Sequence, residues 1–147
     1  MYKHILIPID DSELSEKAIK NGIALACSMR ARITGFTAVP EYQPPSESTI
    51  MNRTAVSLVD HEKRSKKKAH SILGRLARRA RTAGVKCDVQ YTLSDRPDEA
   101  IVAAAKKSRC DLIVMASHGR SGLSALLNGS ETRGVLARTT IPTLVYR

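Results

Sequence analysis

The chain has 147 residues, near the commonest size of a single domain and long enough to bury a core without disulfides or a structural metal. Its apolar fraction of 42% is almost wholly aliphatic, with no Trp and only Phe36, which argues against a base-stacking surface and for layered α/β packing. A formal net charge of +10 marks a phosphorylated ligand, nucleic acid, an acidic partner or a solvated basic face.

The first element is an apolar, β-rich run over residues 3 to 9, KHILIPI, of the kind that forms a buried central strand. It ends at Asp10-Asp11-Ser12. A hydroxyl followed by Glu13 and Glu16 starts a helix, because acids in the first turn face its positive end. Asp11 or Ser12 suits the cap, which leaves Asp10 free for a ligand. Leu14, Ala18, Ile19, Ile23 and Ala26 recur at helical spacing to about Met29, and residues 31 to 39 read as a second strand. Strand, helix, strand is a βαβ unit and implies a parallel sheet.

Residues 41 to 49, EYQPPSEST, read as a loop. A polar, basic stretch from about Asn52 to Thr82 follows and is expected to be one long helix stopped by Gly84. Residues 85 to 93 alternate polar and apolar, as a strand near the sheet edge does. Pro97 begins another helix, with Ile101, Ala104 and Ala105 on its inner face. Residues 111 to 116, DLIVMA, make a fourth strand as apolar as the first. Gly129-Ser130 opens a last helix to about Arg138, and Ile141 to Tyr146 closes as a fifth strand.

Five strands alternating with four helices make a doubly wound, mostly parallel α/β sheet in one domain over residues 1 to 147. The first and fourth strands, being the most apolar, are expected at the centre. Ligands in such sheets bind beyond the carboxyl ends of the strands, where strand order reverses. That places the site at Asp10, the end of the second strand, and the loop after Met115.

Cys27, Cys87 and Cys110 are an odd count without CxxC spacing and read as reduced. No His or Cys pair has zinc-ligand spacing. The N-terminal run lacks the features of a signal peptide, and no segment has the roughly eighteen apolar residues of a membrane helix, so a cytoplasmic setting without membrane contact is expected.

The stretch MASHGRSGLSALLNGSET, residues 115 to 132, places glycines and serines between a buried strand and a helix start. Free backbone N–H groups, the helix dipole, Ser130 and nearby Arg120 suit phosphate. Neither a P-loop nor GxGxxG is present. The Asp10–Ser12 turn, the Ser-His-Gly-Arg loop and the Gly129-Ser130 helix start, with a final hydrophobic strand, resemble the universal stress protein family over the whole chain. Its ATP-binding members carry Gly, two residues, Gly, nine residues, then Gly-Ser or Gly-Thr. Here Gly119 and Gly129-Ser130 match, while Ala116 stands where the first glycine belongs.

The resemblance implies ATP, or AMP or cyclic AMP, with Mg²⁺ bridging the phosphates. It puts Pro8, Ile9 and Asp10 over the nucleoside, with the main chain of Ala38 or Val39 at the adenine edge. Met115 and Ala116 fall on the ribose side, and Gly119, Gly129, Ser130, Glu131 and Thr132 around the phosphates. His118 shapes the pocket beside Arg120; no nucleophile pairs with it, so no residue is assigned a catalytic role and any ATP hydrolysis is expected to be slow and incidental. A left-handed backbone at Ala116 would cost roughly 1 to 2 kcal/mol, whereas a negative φ leaves only an added methyl. The resemblance also implies a homodimer through Ile141 to Tyr146.

Residues 63 to 81, KRSKKKAHSILGRLARRAR, hold no acid. They read either as a solvated outer helix face, the favoured reading, or as a surface for nucleic acid or an acidic protein.

Overall fold

Ile5, Leu6 and Ile7 are fully buried. A run with no exposed face belongs in the middle of a sheet covered on both sides, and there the chain puts it. The computed structural model describes residues 1–51, 57–117 and 130–146. Its strands are β1 (His4–Pro8), β2 (Arg32–Val39), β3 (Cys87–Leu93), β4 (Leu112–Ala116) and β5 (Thr143–Tyr146). They form one sheet in the order β3-β2-β1-β4-β5, and every neighbouring pair is parallel. The register sets Ile5 beside Ile33 on one side and Leu112 on the other.

The helices are α1 (Glu13–Met29), α2 (Glu47–Met51), α3 (Leu58–Thr82), α4 (Pro97–Lys107) and α5 (Ser130–Arg138). Two apolar layers result. On one face Ile5, Ile7, Ile33 and Val114 meet Ile19 of α1 and Leu73 and Leu76 of α3. On the other, Leu6, Phe36 and Ile113 meet Ile101 and Ala105 of α4 and Val135 of α5. Helices on both faces of a parallel sheet are the doubly wound architecture. Gly35 lets α3 settle on β2: a Cβ there would stand 2.5 Å from Cδ2 of the buried Leu76.

Two expectations need correction. The Pro- and Ser-rich segment after β2 is not all loop, because Glu47–Met51 forms a short helix with an acid in its first turn. The long helix starts at Leu58, not near Asn52: Ser57 Oγ accepts the N–H of Asp60, and such a cap fixes where a helix begins. Its stop is as read, with Gly84 at φ +71° just beyond it.

The chain runs outward from β1 through β2 to β3, then returns to the other side of β1 for β4 and β5. Strand order reverses between β1 and β4, and a crevice opens beyond their carboxyl ends.

Candidate functional site

At the end of β1 the Ile9 N–H donates to the Phe36 carbonyl at 2.9 Å, prolonging the pairing with β2 by one residue. The chain then turns away at Asp10. The Asp10 N–H donates to Ser15 Oγ at 2.8 Å, and Ser15 Oγ donates to Asp10 Oδ1 at 2.7 Å. The Ser12 N–H and hydroxyl donate to the same Oδ1. Ser12 is the N-cap residue of α1 by backbone conformation, yet its side chain makes no capping bond, having turned to Asp10 instead. Asp10 is therefore not unengaged, as the sequence suggested. Its Oδ1 is fixed, while Oδ2 has no hydrogen-bond partner among the described residues. Partial burial works to raise the Asp10 pKa; the hydrogen bonds from Ser12 and Ser15 outweigh it and hold the carboxyl below its ordinary value, so it is an anion at neutral pH.

The turn is also gripped from behind. Arg75 of α3 donates to the Asp10 carbonyl at 3.0 Å and pairs with Glu16 of α1 at 3.2 Å, and Arg79 pairs with the same Glu16.

Beyond this turn lies a cavity of about 420 Å³. Its floor is Pro8, Ile9, Met115 and Ala116 at the ends of the central strands, and Ser12 and Ser15 bring in the first turn of α1. Thr37 and Ala38 lie in the last residues of β2 and Pro40 just beyond it, Ser94 and Asp95 follow β3, and Glu131 comes from the first turn of α5. Asp95 closes one rim, accepting from the Glu41 N–H and from Gln43 Nε2, each at 3.0 Å. Glu131 is carried by a helix packed closely on α4, where Arg138 pairs with Asp98 at 3.0 Å.

Of the residues named from sequence, Pro8, Ile9, Asp10, Ala38, Met115, Ala116 and Glu131 meet in this cavity. The two residues named as alternatives at β2 differ in their surroundings. Val39 is buried and its carbonyl already accepts the Ser94 N–H at 2.8 Å. Ala38 lines the cavity, and since strand residues two apart present their backbones to the same edge, its main chain faces past the end of β1 as Phe36 does toward Ile9. Thr132 is buried beneath the first turn of α5, and Ser130 is exposed outside the lining. His118, Gly119, Arg120 and Gly129 lie outside the described residues. Ser15, Thr37, Ser94 and Asp95 were missed as site residues. The rule that sends ligands to the carboxyl ends of strands applies equally to the end of β3, where Ser94-Asp95 leads toward the helix begun by Pro97.

Ala116 is a strand residue paired with Tyr146, and it is not among the non-glycine residues with positive φ, which are Arg30 and Arg109. The left-handed cost therefore does not arise; only a methyl group is added to the cavity wall. Burial pushes the thiols of Cys87 and Cys110 up to about 11, so both are protonated and unreactive at neutral pH. No cluster of three metal-ligating side chains occurs among the described residues, and no described helix is long and apolar enough to cross a membrane.

A family model for the universal stress protein family matches residues 1–147. The chain belongs to that family. It is 30% identical over 150 residues to universal stress protein MJ0531 of Methanocaldococcus jannaschii, a match spanning all of this chain and 83% of the relative. It is 29% identical over 152 residues to a universal stress protein of Thermus aquaticus, with both chains wholly covered. Among solved structures, that of MJ0577 from Methanocaldococcus jannaschii superposes with a TM-score of 0.73 at 27% identity, over 99% of this chain and 95% of the other. A universal stress protein in complex with cAMP gives 0.73 at 23% identity, covering 99% and 97% of the two chains. One from Archaeoglobus fulgidus in complex with dAMP gives 0.68 at 15%, covering 99% and 98%. At these last two identities the likeness is one of fold.

Proposed function

We propose that this universal stress protein binds an adenine nucleotide, ATP in the first instance, in the cavity beyond β1 and β4, and works as a binding or switching module rather than a fast enzyme. The observation that carries the reading is the cavity itself. It sits at the reversal of strand order, its volume falls in the range of small-molecule sites, about 300 to 1,000 Å³, and it joins an apolar floor to a fixed carboxylate and the ends of the central strands. Neighbours bound to cAMP and dAMP support the ligand class.

In this reading the adenine lies against Ile9 and the Ala38 main chain, because a base needs one apolar face and edge hydrogen bonds. Asp10 Oδ2 accepts from the ribose hydroxyls. The phosphates extend toward the first turn of α5, where helix-end N–H groups of Ser130 to Thr132 favour anions, and Gly119 and Gly129, which precede it in sequence, are assigned to the phosphates as well. The described residues offer no metal cage of their own, so Mg²⁺ would be held chiefly by the phosphates. The same reading includes a homodimer through β5. This strand is at a sheet edge with Leu144 exposed, and a second copy of it would cover the unpaired edge.

Calorimetric titration of nucleotide-stripped protein with ATP and Mg²⁺, and separately with AMP and cyclic AMP, tests the site. Binding on the order of micromolar is expected, weakened at least tenfold by Asp10→Ala and by the pair Gly129→Val and Ser130→Ala. No heat at millimolar nucleotide from any of the three sinks the proposal. Light scattering tests the dimer: the native chain is expected at twice the monomer mass and Leu144→Lys at a lower one.

A further inference from the structure

The cations of α3 are more than a compositional excess. Of its nine Lys and Arg residues, only Arg75 and Arg79 meet a carboxylate among the described residues, that of Glu16. Lys63, Arg64, Lys66, Lys67, Lys68, Arg78 and Arg81 are exposed, and none has an ion-pair partner among the described residues.

Their arrangement follows from helical geometry. The buried face is Ser65, Ala69, Ile72, Leu73, Leu76 and Ala80. At about 100° per residue, Lys63, Lys67, Arg78 and Arg81 fall on the opposite side, facing away from the sheet. They form two groups. Lys63 and Lys67, flanked by Arg64, occupy one end, and Arg78 and Arg81 the other. Lys67 and Arg78 stand roughly 16 Å apart along the axis at 1.5 Å per residue. Between them the outward face carries Ser71 and Gly74, which have almost no side chain to obstruct an approaching surface.

We infer that the outward face of α3 docks on the phosphate backbone of double-helical nucleic acid. A duplex presents fixed rows of phosphates on either side of a groove, the major groove of B-DNA being about 12 Å wide. Two cation groups at this separation on one rigid rod reach both rows while Ser71 and Gly74 pass over the opening. The composition of the face turns away other anions. Its one ring, the His70 imidazole, already meets Tyr91 edge to face, so the face offers no row of aromatic rings to stack on the bases of a single strand, and it has no apolar residue to enter a bilayer. Contacts of this kind carry no sequence information.

Fluorescence anisotropy of a labelled mixed-sequence 20-base-pair DNA with the full chain tests this. Four backbone contacts give an affinity falling with salt at a log–log slope of about −3.6. The quadruple variant Lys63→Gln, Lys67→Gln, Arg78→Gln, Arg81→Gln is expected to bind at least tenfold more weakly and to lose most of that slope. A control with the same charge change, Lys17→Gln, Lys20→Gln, Lys106→Gln, Lys107→Gln, is expected to keep both within threefold. All eight side chains are exposed, and circular dichroism of both variants verifies the fold. The inference is overturned by no binding at 50 mM salt, by equal losses in the two variants, or by tighter binding to a single strand, polyglutamate or phosphatidylserine vesicles than to the duplex.

Discussion

Asp10 shows how one side chain is prepared for a ligand before it arrives. Three donors converge on Oδ1, so the carboxylate has lost most of its rotational freedom, while Oδ2 keeps its accepting capacity. Because its folded pKa lies below the ordinary 3.8, Asp10 contributes stability above that pH and loses it as pH falls through the folded value. His4, at the opposite end of the sheet, titrates in a more accessible range. Burial first, then the charge of Arg32, lowers its pKa below the ordinary 6.5, although Asp111 and Asp88 pull the other way. Its Nε2 pairs with Thr34 Oγ1 at 2.7 Å. The unfolded chain therefore takes up a proton before the native one does. Stability is full above pH 6.5 and falls below it, and thermal melts from pH 7.5 to pH 5 are expected to show a smaller acid loss in His4→Gln than in the native chain. Ala116 makes a prediction of the opposite temper to its motif. Restoring glycine relieves no strain in an extended residue and weakens β4, so Ala116→Gly is expected to lower stability by about 0.5 to 1 kcal/mol in urea unfolding. Its nucleotide affinity should change less than threefold; a tenfold gain would show that the methyl group obstructs the site.

At the scale of elements, the helices that bear on the cavity are placed by close contacts. On α5, a Cβ at Gly134 would stand 2.7 Å from the Cβ of Asp98, so α4 and α5 touch backbone to side chain there. Gly134→Val is expected to cost about 1 to 3 kcal/mol by overpacking, read from the midpoint of urea unfolding, and to weaken nucleotide binding by displacing Glu131. Much of this layer was legible in the sequence because its signals are local. Ser12 with Glu13 and Glu16, Pro97, Gly84 and Ser130 each mark a helix end through their own backbone chemistry. The elements that escaped lacked such marks. Glu47–Met51 has only five residues, too few for a period to show. The start of α3 was misplaced because polar and apolar residues are mixed alike on both sides of Ser57, with Ala55-Val56 before it and Leu58-Val59 after it, and the Ser57 to Asp60 bond that marks the start is invisible in that pattern.

At the scale of the molecule, the strand order was legible because burial dictates it: β1 and β4, apolar at consecutive positions, have to be covered on both faces, and the half-polar β3 belongs at an edge. The contents of the cavity were legible only in part. Sequence neighbours such as Pro8, Ile9 and Asp10 come together by adjacency, whereas Thr37 and Asp95 reach the same space through the pairing of β2 with β3, which no local spacing announces. Arg75 carries a consequence at this scale. It is rooted in the helix that bears the cationic stripe, yet its guanidinium holds the carbonyl of Asp10, so one side chain spans the two surfaces to which ligands are assigned. Two ligands sharing such a strut act on each other alike: the factor by which nucleotide alters duplex affinity must equal the factor by which duplex alters nucleotide affinity. Measuring both factors in the native chain and in Arg75→Ala reads that exchange directly. The two are expected to agree and to differ from one in the native chain, and to collapse toward one when the strut is cut. A native factor of one would mean that the molecule keeps its two conversations separate.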